Sequence, residues 1–218
     1  MHVYDEKELE GVRAHPWTIS DGNPGCRYYD FRRRPELIPI VLEDFVPWSH
    51  YAAVEEFYAY LTWLNGPDSE LESNDCAFGG VRRNNSEHLT SKKLQVDGRL
   101  MVFFRELAMN CDQRNAVYLR DCYRWYLERT QPDLQLAALG LSNLGTYFNA
   151  VGKIGSCLVF SFFAWGDSEA EAMDTARHLF AGLKEASSCV CQDYREKIAS
   201  AIKVSNHASQ SEEPEAMR

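Results

Sequence analysis

Apolar positions recur along this chain with two different periods. The longest charge-free run is Cys157-Leu-Val-Phe-Ser-Phe-Phe-Ala-Trp165, the length of one strand buried on both faces. Gly166 permits a sharp turn after it, and Ser168 followed by Glu171 is a capping-box pattern that opens a helix. Ala172, Met173, Ala176, Leu179, Phe180 and Leu183 then share one helical face, which predicts a helix over 168–186. A second helix is predicted over 50–64, capped by Ser49, with Val54, Phe57, Tyr58, Leu61 and Leu64 at helical spacing. It also carries Tyr51, Tyr60 and Trp63, so it is aromatic on more than one face and is central or meets a partner. A third runs over 113–130 behind an Asp112 cap, burying Ala116, Leu119, Cys122, Tyr123, Tyr126 and Leu127. Ser187-Ser188 predicts a break before a last helix over 189–203, on which Val190, Tyr194, Ile198 and Ile202 align.

Strand signals fill much of the rest. Leu94–Val96 and Arg99–Leu107 flank Asp97-Gly98, the dipeptide favoured in a type I′ hairpin turn. Leu100–Phe104 is too apolar for a strand with one wet face and predicts a mid-sheet position. Cys76–Val81 reads as a short strand. Glu36–Phe45 reads as extended, and Pro39 confines it to an edge. Residues 1–25 give little beyond a short helix over Glu6–Arg13. Leu134–Ile154 is weakened as helix by Gly140, Gly145 and Gly152, with a short helix expected over 143–151. Residues 206–218 are polar and acidic and predict a mobile tail. The resulting expectation is an α+β fold: a mainly antiparallel sheet packed by four or more helices, one domain over 1–205.

Composition narrows the class. Of 218 residues 45% are hydrophobic, enough for a substantial core. The formal net charge of −9 argues against binding nucleic acid or an anionic membrane directly. Seven cysteines, an odd number set mostly in apolar patterns, predict reduced thiols and a cytoplasmic protein. No signal-peptide pattern and no apolar run of membrane-spanning length are present.

Catalytic signatures are sparse. Asp68-Ser-Glu-Leu-Glu-Ser-Asn-Asp75 carries four carboxylates and no base, and reads as an exposed acidic loop. Glu70, Glu72 and Asp75 are hard ligands suited to a divalent metal, but a nuclease site would add a lysine and a basic track, which are missing here. The six histidines are scattered, with no His-Glu-x-x-His, no Gly-x-Ser-x-Gly and no P-loop. The chain is therefore read as a non-enzyme without cofactor or metal. An enzyme with a dispersed Cys/His or carboxylate site, and a structural adaptor, are the alternatives.

Three strings, Leu71-Glu-Ser-Asn-Asp-Cys-Ala-Phe78, Gly98-Arg-Leu-Met-Val-Phe-Phe-Arg105 and Phe163-Ala-Trp-Gly-Asp-Ser168, resemble patterns in immunity proteins of bacterial polymorphic toxins, from type VI secretion or contact-dependent systems. The resemblance spans roughly residues 36–185. It implies an acidic, single-domain, cytoplasmic antidote that masks a cognate toxin, often a nuclease. It supplies no catalytic residues. Asp68, Glu70, Glu72 and Asp75 are then expected as charge complements of a basic cleft, with Trp63 and Tyr60 as nearby aromatic anchors. The partner is the cognate toxin, and a homodimer is compatible with the reading.

Overall fold

The computed structural model describes residues 1–16, 28–85 and 88–210, the last thirteen of these as helix backbone. Six strands form one sheet: β1 (His2–Asp5), β2 (Leu9–His15), β3 (Leu71–Arg83), β4 (Leu94–Phe104), β5 (Ala137–Phe148) and β6 (Lys153–Gly166). The order is β1-β5-β6-β4-β3, and β2 continues the β1 edge along β5. β1 and β2 run parallel to β5, whereas β5, β6, β4 and β3 are antiparallel neighbours. Four helices accompany the sheet among the described residues: α1 (Ile38–Val41), α2 (Ala52–Leu64), α3 (Gln113–Thr130) and α4 (Glu169–Gln210). The fold is α+β with a mixed sheet.

Alternation along the central strands decides which side chains meet the helices. Leu100, Val102 and Phe104 of β4 and Leu158, Phe160 and Phe162 of β6 belong to the same buried cluster as Phe57 of α2, Tyr123 of α3 and Phe180 of α4. The intervening residues form smaller clusters away from that core, Met101 with Leu144 and Val159, and Phe103 with Phe148 and Cys157. Over 100–104 of β4 and 157–160 of β6 both faces are thus dry, which explains the apolar runs there.

Several local expectations hold. Ser168 Oγ accepts from the Glu171 N–H at 3.2 Å, and Glu171 Oε2 accepts from the Asp167 N–H at 2.9 Å, closing the cap of α4. Asp112 accepts from the Arg114 N–H at the start of α3. Other expectations are corrected. Asp97-Gly98 is not a turn. Both residues lie inside β4, paired with β3 on one side and β6 on the other. Gly98 is needed because a Cβ there would overlap the Ala77 carbonyl and the Phe162 ring. Glu6–Arg13 contributes an edge strand rather than a helix, and 143–151 is mostly β5. Glu36–Phe45 is a series of helical turns, Pro35–Leu37, α1 and Glu43–Trp48. Pro39 suits that arrangement because a first-turn proline loses no helix hydrogen bond.

The break expected at Ser187-Ser188 is absent. α4 is one helix of 42 residues, roughly 63 Å long at 1.5 Å per residue. Ser187 is fully buried and its Oγ lies 2.9 Å from Tyr60 Oη of α2 and 2.6 Å from Tyr123 Oη of α3. It also donates to the Leu183 carbonyl at 2.7 Å, so one hydroxyl joins three helices. Of the expected tail, 206–210 continues α4 and the remainder lies outside the described residues. Six cysteines are free thiols, and Cys26 lies outside the described residues. Among the described residues no helix is long and apolar enough to cross a membrane.

Candidate functional site

The acids expected to act together belong to strand β3, its approach and the turn before it, and the structure disperses them. Asn65 ends α2 and ties the start of β3 to it. Its Nδ2 donates to the Leu61 carbonyl and to Ser73 Oγ, and its Oδ1 accepts from the Ser73 N–H at 3.0 Å. An irregularity between Ser73 and Asp75 then resets the alternation of the strand. Ser73 stays against α2, and Asp75 takes the opposite face.

On that face Asp75 Oδ2 accepts from Arg13 Nη1 at 2.6 Å and from Arg99 Nη2 at 3.1 Å. Arg13 sits on β2 and Asp75 on β3, strands at opposite edges of the sheet. A side chain cannot reach across β5, β6 and β4 of a flat sheet at about 4.8 Å per strand. The sheet must therefore curl until its edges approach, and Asp75 fastens them. Glu6 crosses the same concave side from the other edge. It accepts from Ser161 Oγ of β6 at 2.7 Å, over Gly140, where a side chain would collide with it.

Glu72 is buried, with Arg32 and Arg105 at 3.8 and 3.9 Å. Burial pushes its carboxyl above the ordinary range, and the two arginines pull it back only in part. Its Oε2 has no hydrogen-bond partner, so these ion pairs are loose. Glu70 turns instead toward α4 and accepts from Arg195 Nε at 2.8 Å. Asp68 is exposed, and Arg195 also takes its carbonyl oxygen, at 2.5 Å. Trp63 is half-buried against the core. Tyr60 is fully buried, which removes it as an anchor for a partner. The expected exposed loop over 68–75 is thereby corrected: it is mostly strand, its acids point to two faces, and three of the four meet arginines.

The uncompensated charge lies close by. From Pro35 to Val81 the chain contains no lysine or arginine and nine carboxylates. The 23 acids elsewhere equal the 23 lysines and arginines, so this block carries the entire net charge of −9. Glu36, Glu70, Glu72 and Asp75 have arginine partners. Among the described residues no ion pair involves Glu43, Asp44, Glu55, Glu56 or Asp68. The pattern was legible in the sequence as a basic-residue gap, a longer-range signal than the acid-rich string at 68–75.

The Cys76 and Cys157 thiols are poorly disposed for nucleophilic chemistry. Burial pushes Cys157 up to about 12, although Thr146 and Asn74 hydrogen-bond its sulfur, and it also raises Cys76. His15 is buried among the rings of Tyr28, Phe103 and Phe148, and its Nδ1 has no hydrogen-bond partner among the described residues. No cluster of His, Cys, Asp and Glu suited to a metal is found among the described residues. Shallow recesses occur among the described residues, and two of them are these. One of about 390 Å³ lies between α3 and the ends of β5 and β6, beside Leu9, Val117 and Ile154. The other, about 330 Å³, lies on the concave side between Arg82, Asp97, Arg99 and Phe163. In the latter Arg82 pairs with Asp97 and Arg99 with Asp75, so its charges are balanced. Compared with family models, with curated proteins and with solved structures, the chain matches none.

Proposed function

We propose that this chain is a cytoplasmic immunity protein: a stoichiometric binder that neutralises a cognate secreted bacterial toxin, a nuclease with a basic substrate surface, by covering that surface. The observation that carries the reading is the placement of the whole net charge in one stretch of 47 residues without a base. Such asymmetry does little for folding, because like charges repel within the native state. It suits a protein whose partner is basic, since complementary potentials accelerate encounter and disfavour wrong partners.

The three strings that resemble immunity proteins add support by being neighbours in space. Leu71–Phe78 pairs with Gly98–Phe104, and Phe163–Gly166 pairs with Leu94–Asp97 on the other side of β4. They form one continuous part of the sheet, the part on which the acid-rich segment before α2 rests.

The test is co-expression with the polypeptide encoded by the neighbouring gene. The expected result is rescue of growth, a complex of fixed stoichiometry, and an association rate that falls with ionic strength. Absence of both rescue and complex would remove the reading, as would multiple turnover of a small substrate abolished by changing one buried thiol or carboxylate.

A further inference from the structure

Ile40 and Val46 are 65% and 55% exposed, on a segment the fold otherwise holds tightly. Between Pro35 and Trp48 the chain forms three successive helical turns, which give the core Ile38 and Phe45 and pack Leu37, Val41, Leu42 and Trp48 against it in part. Ile38 and Phe45 are essentially fully buried. The Phe45 ring lies between Phe57 of α2 at 4.7 Å and Phe78 of β3 at 4.4 Å, both near-parallel to it. Pro39 and Pro47 further restrict the backbone. The segment is therefore anchored by its inward side chains, and the outward Ile40 and Val46 take no part in that anchorage.

Carboxylates lie between and beside those aliphatics. Glu43 and Asp44 are exposed and form no ion pair among the described residues. Glu55 of α2 is also exposed, one helical turn before Tyr58, on which Phe45 rests at 5.8 Å. No lysine or arginine occurs from Pro35 to Val81, and the arginines that reach this block from outside pair with Glu36, Glu70, Glu72 and Asp75 instead. Two apolar knobs in a negatively charged surround have the anatomy of a binding patch: apolar contacts at the centre, charges around them. The surround fixes the kind of partner, which must be basic. Because the segment is already anchored, binding costs little conformational entropy.

We propose that Ile40 and Val46, flanked by Glu43, Asp44 and Glu55, are the surface that docks on the basic face of the toxin, in place of the acids of β3. This rests on the immunity reading above. Ile40 and Val46 seat against apolar patches of the toxin, and the carboxylates pair with lysines or arginines that would otherwise hold phosphates.

The experiment measures binding of the intact protein to the neighbouring gene's product, catalytically inactivated, by calorimetry at low and high ionic strength. Three variants are compared after circular dichroism shows native melting: Ile40→Ser/Val46→Ser, Glu43→Lys/Asp44→Lys, and a control reversal on the opposite part of the molecule, Glu128→Lys/Asp133→Lys. The expected result is a loss of about a hundredfold for Glu43→Lys/Asp44→Lys and about tenfold or more for Ile40→Ser/Val46→Ser, with the control within about threefold of wild type. Equal binding by all three variants, or equal loss in the control, overturns the docking surface while leaving the immunity reading intact. Failure of the unaltered protein to bind overturns both.

Discussion

Replacing Ser187 with Ala tests the core most directly, because one hydroxyl holds three helices. A serine hydroxyl has one hydrogen and two lone pairs. The hydrogen goes to the Leu183 carbonyl at 2.7 Å, so both lone pairs remain for the phenolic O–H groups of Tyr60 and Tyr123, at 2.9 and 2.6 Å. All three residues are fully buried, and water cannot replace a lost partner. The Tyr60 and Tyr123 hydroxyls are also within hydrogen-bond reach of each other, so Ser187→Ala leaves one phenolic donor stranded rather than two. That orphan costs about 1–3 kcal/mol, offset by roughly 0.5 kcal/mol from the better helix propensity of alanine. The net expectation is a loss of about 1–2 kcal/mol, a sizeable part of the total stability of an ordinary domain. Tyr60→Phe should cost less, about 1 kcal/mol, because it removes one bond and leaves only an acceptor underused. The triple change Tyr60→Phe/Tyr123→Phe/Ser187→Ala should recover most of the loss, since no polar group is then left alone. Urea unfolding with linear extrapolation measures all of these. A Ser187→Ala protein within about 0.5 kcal/mol of wild type, or a triple variant less stable than Ser187→Ala, would refute the reasoning.

Three further outcomes are expected. Burial lowers the His15 pKa to about 4, against an ordinary 6.5, with the Asp30 carboxylate opposing the shift. The unfolded chain thus takes up a proton first as pH falls, so stability is complete above about 6.5 and declines toward pH 4 by about 3 kcal/mol, a slope that His15→Phe should flatten in urea midpoints measured across that window. Gly98→Ala forces a methyl into the Ala77 carbonyl and the Phe162 ring and should cost about 1–3 kcal/mol by the same assay. Asp75→Ala removes a shared partner of Arg13 and Arg99 and should cost about 1–2 kcal/mol, whereas Asp68→Ala at an exposed turn should leave the melting temperature unchanged.

Local pattern was sufficient for α3, the first half of α4 and β6, and for α2 except its cap, since the helix starts after Tyr51 with no side-chain cap and Ser49 closes the turn before it. In each, the period of apolar residues matches the face that is buried, and the Asp112 cap and the Ser168–Glu171 box lie in the strings they terminate. The dominance of free cysteines and the α+β class were likewise legible. What remained hidden depends on groups distant in sequence. Glycines 140 and 145 weaken a helix reading, yet they serve β5 because Glu6 and then Gly11 and Val12 approach its backbone there. Asp97-Gly98 has the local preference of a turn, and pairing on both sides overrides it. Ser187 looks like a break until Tyr60 and Tyr123 are found around its hydroxyl. The acids of β3 look exposed until Arg13, 62 residues away, and Arg195, 125 residues from Glu70, are brought against them. Periodicity within a helix or strand is written in consecutive residues. Whether a charge is satisfied, or a glycine is crossed by another segment, is settled only when separate parts of the chain meet.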